Sequence, residues 1–374
     1  MKVTHIFWSL GFGGIETMLV NIANAQAEAG SEVSVLIINK IYEQSLVNSL
    51  DKRVNLVFLN RKKGAITPWF IVRLNRILKR SKPDVIHLHR SDLYHFVWGK
   101  KLKSNVCITL HALPKGLVRR EGVMHIVWRK IKKRSVLYSN VVDMDRIPHV
   151  FTISEVVQKT LYDNYGVEST VVCNGIVTSC FVSRPKTMPK GQLRVVMVSR
   201  LEHDKKGQDL LIRAAAALQG TVTVDFIGIG SSMEYLKQFT AELHAETYVR
   251  FLGKQTQDYV AAHLTDYDLF VQPSRWEGFG LTVAEAMAAG VPVLVSEGQG
   301  PAEVTQGSRY GWLFANGDAD DLQRQIVFIK ENYGEAMTKA DEAKDYVRNT
   351  YDVSVTARAY LQEYEKIVCG CPKS

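Results

Sequence analysis

Over the first 175 residues, short apolar runs alternate with stretches whose apolar positions recur every three to four residues. Val3–Ser9, Glu32–Asn39, Val54–Leu59, Asp84–Leu88, Val106–Leu110, His149–Ile153 and Thr170–Cys173 have the pattern of strands. Glu16–Ala29 and Trp69–Arg80 have that of helices. Runs that are apolar throughout suit strands buried on both faces. Their alternation with helices predicts a parallel sheet covered on each side. The periodicity lapses between Asn174 and Gly191, a stretch with two prolines, and then resumes. Leu193–Ser199, Val222–Gly228, Val249–Leu252, Leu269–Gln272 and Val291–Ser296 form the second set of strands. Helices are expected at Gly207–Leu218, Ser232–His244, Gln257–Leu264 and Thr282–Ala289, and the charged stretch from Asp318 to about Ile367 is helical. The pattern predicts an α/β protein of two doubly wound, Rossmann-like domains facing a central cleft. They span residues 1–175 and 192–350, with a linker at 176–191 and a terminal helix over 351–374 that is free to cross back to the first domain. In open parallel sheets, ligands bind beyond the carboxyl ends of the strands.

Composition changes this picture little, but charge changes it more. The 374 residues are 46% hydrophobic and 23% charged, an ordinary globular make-up too long for one small core. The net charge of +9 conceals two opposed halves. Residues 1–190 carry 29 basic and 13 acidic side chains, residues 191–374 carry 18 and 25, and residues 51–150 alone carry 23 and 6. Such asymmetry suggests domains with different partners. The five cysteines are odd in number and lack a CxxC pair, which fits a reducing, cytoplasmic compartment. The opening apolar run is too short for a signal peptide, and no run of about 18 apolar residues spans a membrane.

Three features carry candidate chemistry. The first strand leads into Gly11-Phe12-Gly13-Gly14-Ile15-Glu16, where glycines let backbone N–H groups approach an anion closely. A nicotinamide fingerprint would place a third glycine where Glu16 stands, which argues against a dehydrogenase. The second domain opens on a strand ending at Ser199-Arg200-Leu201, with Lys206-Gly207 at the start of the next helix. A forked and a point-like cation beside a helix N-terminus can neutralise a diphosphate. The third stretch runs from Gln272 through Pro273-Ser274-Arg275-Trp276-Glu277-Gly278-Phe279-Gly280-Leu281 to Glu285 and Met287. Glu277 sits in a loop, and Glu285 on a helix among Ala284, Ala286, Ala288 and Ala289, where a solvated acid is hard to place and a buried one needs a hydrogen-bonding partner.

This E-x7-E stretch resembles the retaining nucleotide-sugar glycosyltransferases of family 4, the group 1 glycosyl transferases of GT-B fold. The likeness extends to Ser199-Arg200-Leu201 with Lys206-Gly207, to Gly13-Gly14 with Glu16, to Asp84–His89, to Thr109–His111, to Asn174-Gly175-Ile176, and to Gly300-Pro301-Ala302-Glu303 followed by Gly311. It spans residues 3–315 in order. The resemblance implies that Arg200 and Lys206 hold the donor diphosphate and that Gly13 and Gly14 approach it from the first domain. By the same likeness Glu285 binds the ribose hydroxyls, and Glu277, with Gly278, Phe279, Gly280 and Leu281, lies along the donor sugar. His111 is implied near the reacting carbon or the sugar's 6-position. Gly253 and Lys254 are the expected readers of the base. The implied donor is a UDP- or GDP-sugar acting as substrate, with no separate cofactor and no metal. The implied acceptor is a glycan or lipid-linked sugar in bacterial surface polysaccharide or lipopolysaccharide assembly. The chain departs from the family at Val177, where an Asp often stands.

Other signals have plainer readings. Asp143-Met144-Asp145, Asp266-Tyr267-Asp268 and Asp318-Ala319-Asp320 are D-x-D triplets, but Asp318 reads as a helix cap and the others as loop or strand-edge residues. His87, His89 and His111 lack a carboxylate or cysteine to complete a metal set, so polar roles at strand ends are expected for His89 and His111. The basic run 100–134 is interleaved with apolar residues and suits an anionic lipid surface or an acceptor's pyrophosphate, and the basic excess over residues 51–150 predicts peripheral docking of the first domain at the cytoplasmic face of an anionic membrane. No recognition motif points to nucleic acid. The competing functions are a nucleotide-sugar epimerase or phosphorylase-like enzyme of the same fold, a nicotinamide-dependent dehydrogenase, and a sugar-binding protein without catalysis.

Overall fold

The computed structural model describes residues 1–11, 13–62, 68–112 and 146–370. The chain divides into two compact units, one of residues 1–175 with 353–374, the other of residues 176–352. Each is built on an all-parallel sheet, as the alternation predicts.

The first unit holds seven strands: β1 (Lys2–Phe7), β2 (Glu32–Asn39), β3 (Asn55–Arg61), β4 (Val85–Leu88), β5 (Val106–Leu110), β6 (His149–Thr152) and β7 (Thr170–Val171). Their order is β3-β2-β1-β4-β5-β6-β7. β1 therefore lies between β2 and β4, with Ile6 beside both Leu36 and Leu88. Helices Gly14–Glu28, Trp69–Ser81 and Glu155–Tyr165 cover the faces. The last of these, capped by Ser154, is absent from the pattern-based expectation because its apolar residues are few. The helix Val353–Cys369 also belongs to this unit and packs against Gly14–Glu28. It buries Tyr360 and Tyr364 completely.

The second unit holds β8 (Leu193–Val198), β9 (Val222–Ile227), β10 (Val249–Gly253), β11 (Leu269–Gln272), β12 (Val293–Ser296) and β13 (Trp312–Phe314), in the order β10-β9-β8-β11-β12-β13. Helices Gln208–Ala217 and Ala319–Glu331 pack together over a core that includes Val195, Phe226, Leu294 and Phe314. The helical stretch after Asp318 is three helices, Ala319–Glu331, Tyr333–Thr350 and Val353–Cys369. The first break falls at Asn332. The second falls where Asp352 bridges Ile176 at the edge of the unit. Asp318 caps the first helix by accepting from the Asp320 and Asp321 N–H groups, so that D-x-D triplet is structural.

In both sheets the strand order reverses once, at β1/β4 and at β8/β11. At such a switch point, neighbouring connections leave toward opposite faces and open a crevice at the strands' carboxyl ends. Gly11–Gly14 follow β1, Arg200 follows β8, and Pro273–Gly280 follow β11.

Candidate active site

In the second unit, glycines bring three loops into contact. Gly207 has φ +70°, and a Cβ there would stand 1.9 Å from the Pro273 carbonyl oxygen. It ends the four-residue helix His203–Lys206 and starts Gln208–Ala217. Lys206 therefore closes a turn rather than beginning the next helix, because the left-handed residue after it breaks the helix in two. The loop after β11 is tied to this turn. The Trp276 N–H donates to the Lys205 carbonyl at 3.2 Å. Arg275 donates to the His203 carbonyl and forks onto Asp209 at 2.8 and 2.7 Å. Lys205 stands 4.7 Å from the centre of the Trp276 ring. The Gly300 N–H donates to the Glu277 carbonyl at 2.9 Å, and a Cβ on Gly300 would lie 2.4 Å from Gly278.

This bracing holds the Lys206 ammonium against the Glu277 carboxylate as a mostly buried ion pair, with side-chain exposures of 15% and 18%. The Glu277 N–H donates to Gln299 Oε1. Arg200 is exposed and pairs with Glu202 at 3.1 Å, which leaves most of its fork available to a ligand. Lys205 has its pKa lowered by partial burial and by Lys206 beside it.

Glu285 is the outstanding electrostatic feature. It is 8% exposed, on the helix Leu281–Ala288, and accepts from Gln257 Nε2 at 2.9 Å. Burial raises its pKa from 4.5 to about 7, and the Gln257 hydrogen bond opposes the rise. A carboxylate with one donor in a buried place has unused acceptor capacity, and a hydroxyl-bearing ligand can fill it. Gly280 (φ +98°) precedes this helix, whose first N–H groups lack intrahelical partners. Phe279 is buried edge-on to Tyr351, 5.3 Å between centroids, so only its backbone is available to a ligand. Gly253 (φ +67°) ends β10, and its carbonyl accepts from the Gly228 N–H at 2.8 Å, with Lys254 next in the chain. Gly228 in turn passes so close to Ser199 that a Cβ would meet its carbonyl at 1.9 Å. Arg200, Lys206, Gly253, Glu277 and Glu285 thus all belong to the carboxyl-terminal end of one sheet. The triplet at 266–268 is occupied elsewhere: Asp266 pairs with Arg184 and His263, and Asp268 with Arg194.

In the first unit, Gly13 precedes the helix Gly14–Glu28, and a Cβ on it would lie 2.4 Å from Glu16 Oε2. His111 follows β5 and is not isolated. Its Nε2 lies 3.3 Å from His89 Nδ1, and His89 Nε2 lies 3.1 Å from His5 Nδ1. His5 Nε2 lies 2.8 Å from Gln26 Oε1. His87 stacks on His89 at 4.3 Å and bonds Tyr364 and Thr109, at 2.5 and 2.7 Å. Burial lowers the pKa of His5 to about 4 and of His111 to about 3, and it lowers those of His87 and His89 strongly. Ring nitrogens of His5, His87 and His89 lie within 4.8 Å of one another, but each ring is already engaged in these hydrogen bonds. The clustered trio includes His5 in place of His111. Sequence reasoning missed His5, Gln26 and Gln257, whose partners lie on other elements. Asp143, Asp145 and the basic run from 113 to 134 lie outside the described residues.

With this geometry in view, comparison with known proteins is decisive. The model for glycosyl transferases group 1 matches residues 182–351, and that for glycosyltransferase family 4 matches residues 12–179. Each model matches a little under half of the chain, and the two together are similar to both of its units. It is 28% identical over 184 residues to the amylovoran biosynthesis glycosyltransferase AmsK of Erwinia amylovora, a match covering 47% of this chain and 45% of the relative. The chain thus spans about half the length of that relative. Among solved structures, it resembles sucrose-phosphate synthase from Thermosynechococcus elongatus, with a TM-score of 0.78 and 18% identity over 98% of this chain and 99% of the other. It also resembles Anabaena HepE in complex with UDP-glucose, with a TM-score of 0.75 and 20% identity over 98% and 100%. These neighbours establish the GT-B fold for this chain.

Proposed function

We propose that the protein is a retaining transferase that moves a sugar from a UDP- or GDP-sugar to a glycan or lipid-linked acceptor in bacterial surface polysaccharide or lipopolysaccharide assembly. The arrangement of Arg200, Lys206 and Glu285 around the β8/β11 switch point carries this reading. As the donor's glycosidic bond breaks, negative charge grows on the leaving diphosphate. Arg200 can fork onto it, and Lys206, held in place by Glu277, meets it in a part-buried setting where Coulomb interactions are stronger than in water. Cations fixed beforehand lower the barrier because they need not reorganise as the charge develops. Glu285 accepts from the ribose hydroxyls, Gly253 and Lys254 read the base, and Gly13 and Gly14 offer backbone N–H groups. His111 serves the sugar's 6-position or the reacting carbon. AmsK's name, which places that relative in amylovoran biosynthesis, and the UDP-glucose held by the HepE structure support the choice of substrate class.

The test is a thermal-shift screen over UDP-, GDP-, ADP- and CMP-sugars, followed by transfer assays. A bound donor raises the melting temperature progressively with concentration. Arg200→Ala should keep the parent's melting temperature, because the side chain is exposed, and lose transfer roughly a hundredfold or more. The site assignment fails if no nucleotide stabilises the protein or if the variant transfers at full rate.

A second reading concerns location. No helix among the described residues is long and apolar enough to cross a membrane. The first unit nonetheless exposes Trp69 (75%) and Trp98 (47%). Buried Asn75 links their segments by accepting from the Trp98 N–H and donating to the Phe96 carbonyl. Outward-facing Arg76, Lys79 and Arg80 share the helix with Trp69, and Lys100, Lys101 and Lys103 follow Trp98. Exposed indoles among cations suit the headgroup region of an anionic bilayer. We infer peripheral docking of this face at a membrane carrying the acceptor.

A further inference from the structure

Three buried imidazoles of the first unit, His5, His87 and His89, together with the half-buried His111, pose a proton-placement problem. A neutral imidazole has one N–H and one lone pair, so in a chain of such rings each hydrogen bond dictates the next. The chain here begins at Gln26 Oε1, which can only accept. His5 Nε2 must then carry the proton, and His5 Nδ1 accepts. His89 Nε2 donates across the 3.1 Å contact, so His89 Nδ1 accepts, and His111 Nε2 donates across the 3.3 Å contact. The three rings come from adjacent parallel strands: His5 lies in β1, and His89 and His111 follow β4 and β5. His5 is fully buried and His89 nearly so, at 1% exposure, while His111 lies at the partly covered rim. Desolvation holds every member neutral at neutral pH, so no second proton scrambles the order.

We propose that Gln26, through His5 and His89, fixes His111 as the Nε2–H tautomer, so that His111 offers a lone pair at Nδ1 to a hydroxyl of the substrate. Gln26, His5 and His89 are positioning residues, and His111 is the group that meets substrate. This rests on the assignment of His111 to the sugar's surroundings made above. One amide thereby controls the polarity of a relay three rings long: turning the amide end over would reverse every bond and present an N–H at the rim instead. An acceptor there favours a substrate that donates a hydroxyl proton, such as a sugar 6-hydroxyl, over one that presents only acceptors.

The first measurement is nitrogen-15 NMR of the full chain labelled at histidine, which distinguishes protonated from unprotonated ring nitrogens. Signals are assigned by single substitution of each ring. His5, His89 and His111 should all carry the proton on Nε2. The second uses Gln26→Met, which removes the terminal acceptor at similar volume. Its His111 should populate both tautomers, and kcat should fall roughly ten- to a hundredfold with the donor KM unchanged. That loss is smaller than the roughly 10⁴-fold that a wholly wrong histidine tautomer costs in a serine protease triad. His5→Phe should show the same tautomer mixture and the same split between kcat and KM. A wild-type His111 protonated on Nδ1 overturns the proposal, as does a Gln26→Met protein whose tautomer shifts while kcat does not. Failure of every nucleotide sugar to bind would instead fault the proposed function, and the wild-type NMR result would still decide the relay.

Discussion

Replacing Glu285 by Gln tests the energetics of the second unit directly. The carboxyl is 8% exposed and its pKa is raised from 4.5 to about 7, chiefly by burial. A shift of that size is worth on the order of 3 kcal/mol. The folded state binds this proton more tightly than the unfolded state does. The associated stability is therefore complete below about pH 4.5, the unfolded value, and is lost as pH rises through about 7, the folded one. Between those limits this group makes stability fall by about 1.4 kcal/mol per pH unit. Glutamine has nearly the same shape as the protonated acid and cannot ionise, so Glu285→Gln should flatten that slope. At about pH 8 the variant should be more stable by roughly 1–3 kcal/mol, the lower figure allowing for an amide N–H short of a partner. Near pH 4.5 the variant should match the parent or fall below it only by that amide's cost. Urea denaturation read by hydrogen exchange of peptides from 269–289 reports the second unit alone. The same variant should bind the donor more weakly, since an amide accepts less well than a carboxylate, giving a stabler and poorer enzyme. A variant with the parent's pH slope, or one less stable at about pH 8, would refute the account of Glu285 as a carboxylate held against its preference.

Gly207→Ala should lower stability by at least about 2 kcal/mol, since φ is +70° and the new methyl would stand 1.9 Å from the Pro273 carbonyl. Gly220→Ala shares a positive φ but meets nothing within 4 Å, so in thermal melts it should cost only the backbone term, about 1 kcal/mol. Anionic vesicles should sediment the protein at low salt and release it at high salt. Trp69→Ser with Arg76→Glu should weaken that binding severalfold, and equal binding by the double variant would remove this face from the interface.

The units differ in how much of each was legible along the chain. The strands of both sheets follow from uninterrupted apolar runs, which need no knowledge of neighbours. The three-residue β13 and the helix Glu155–Tyr165 did not, being too short or too polar to show a period. Arg200, Lys206 and Glu277 stood out because turn glycines and a dense local motif mark them. The burial of Glu285 was legible in its alanine neighbours. Its partner was not, because Gln257 lies 28 residues away on another helix and becomes adjacent only when β10 and β11 take their places in the sheet.

The histidines show the limit most clearly. His87 lies in β4 and His89 just past its end, two apart along the chain, so their shared side follows from continuing the pleat. That His5 joins them depends on β1 and β4 being neighbours in register, with His5 beside His87. That His111 closes the row depends on β5 coming next. Tyr364, 277 residues from His87, arrives only because the last helix belongs to the first unit. Local chemistry along a chain identifies which groups can act. The order of parallel strands decides which of them share protons. In the proposed relay, the end that meets substrate lies at the rim, and Gln26, the residue proposed to orient it, lies on a helix at the other end. Two positions with no local signature in common are thus coupled through a sheet whose strand order reverses between them.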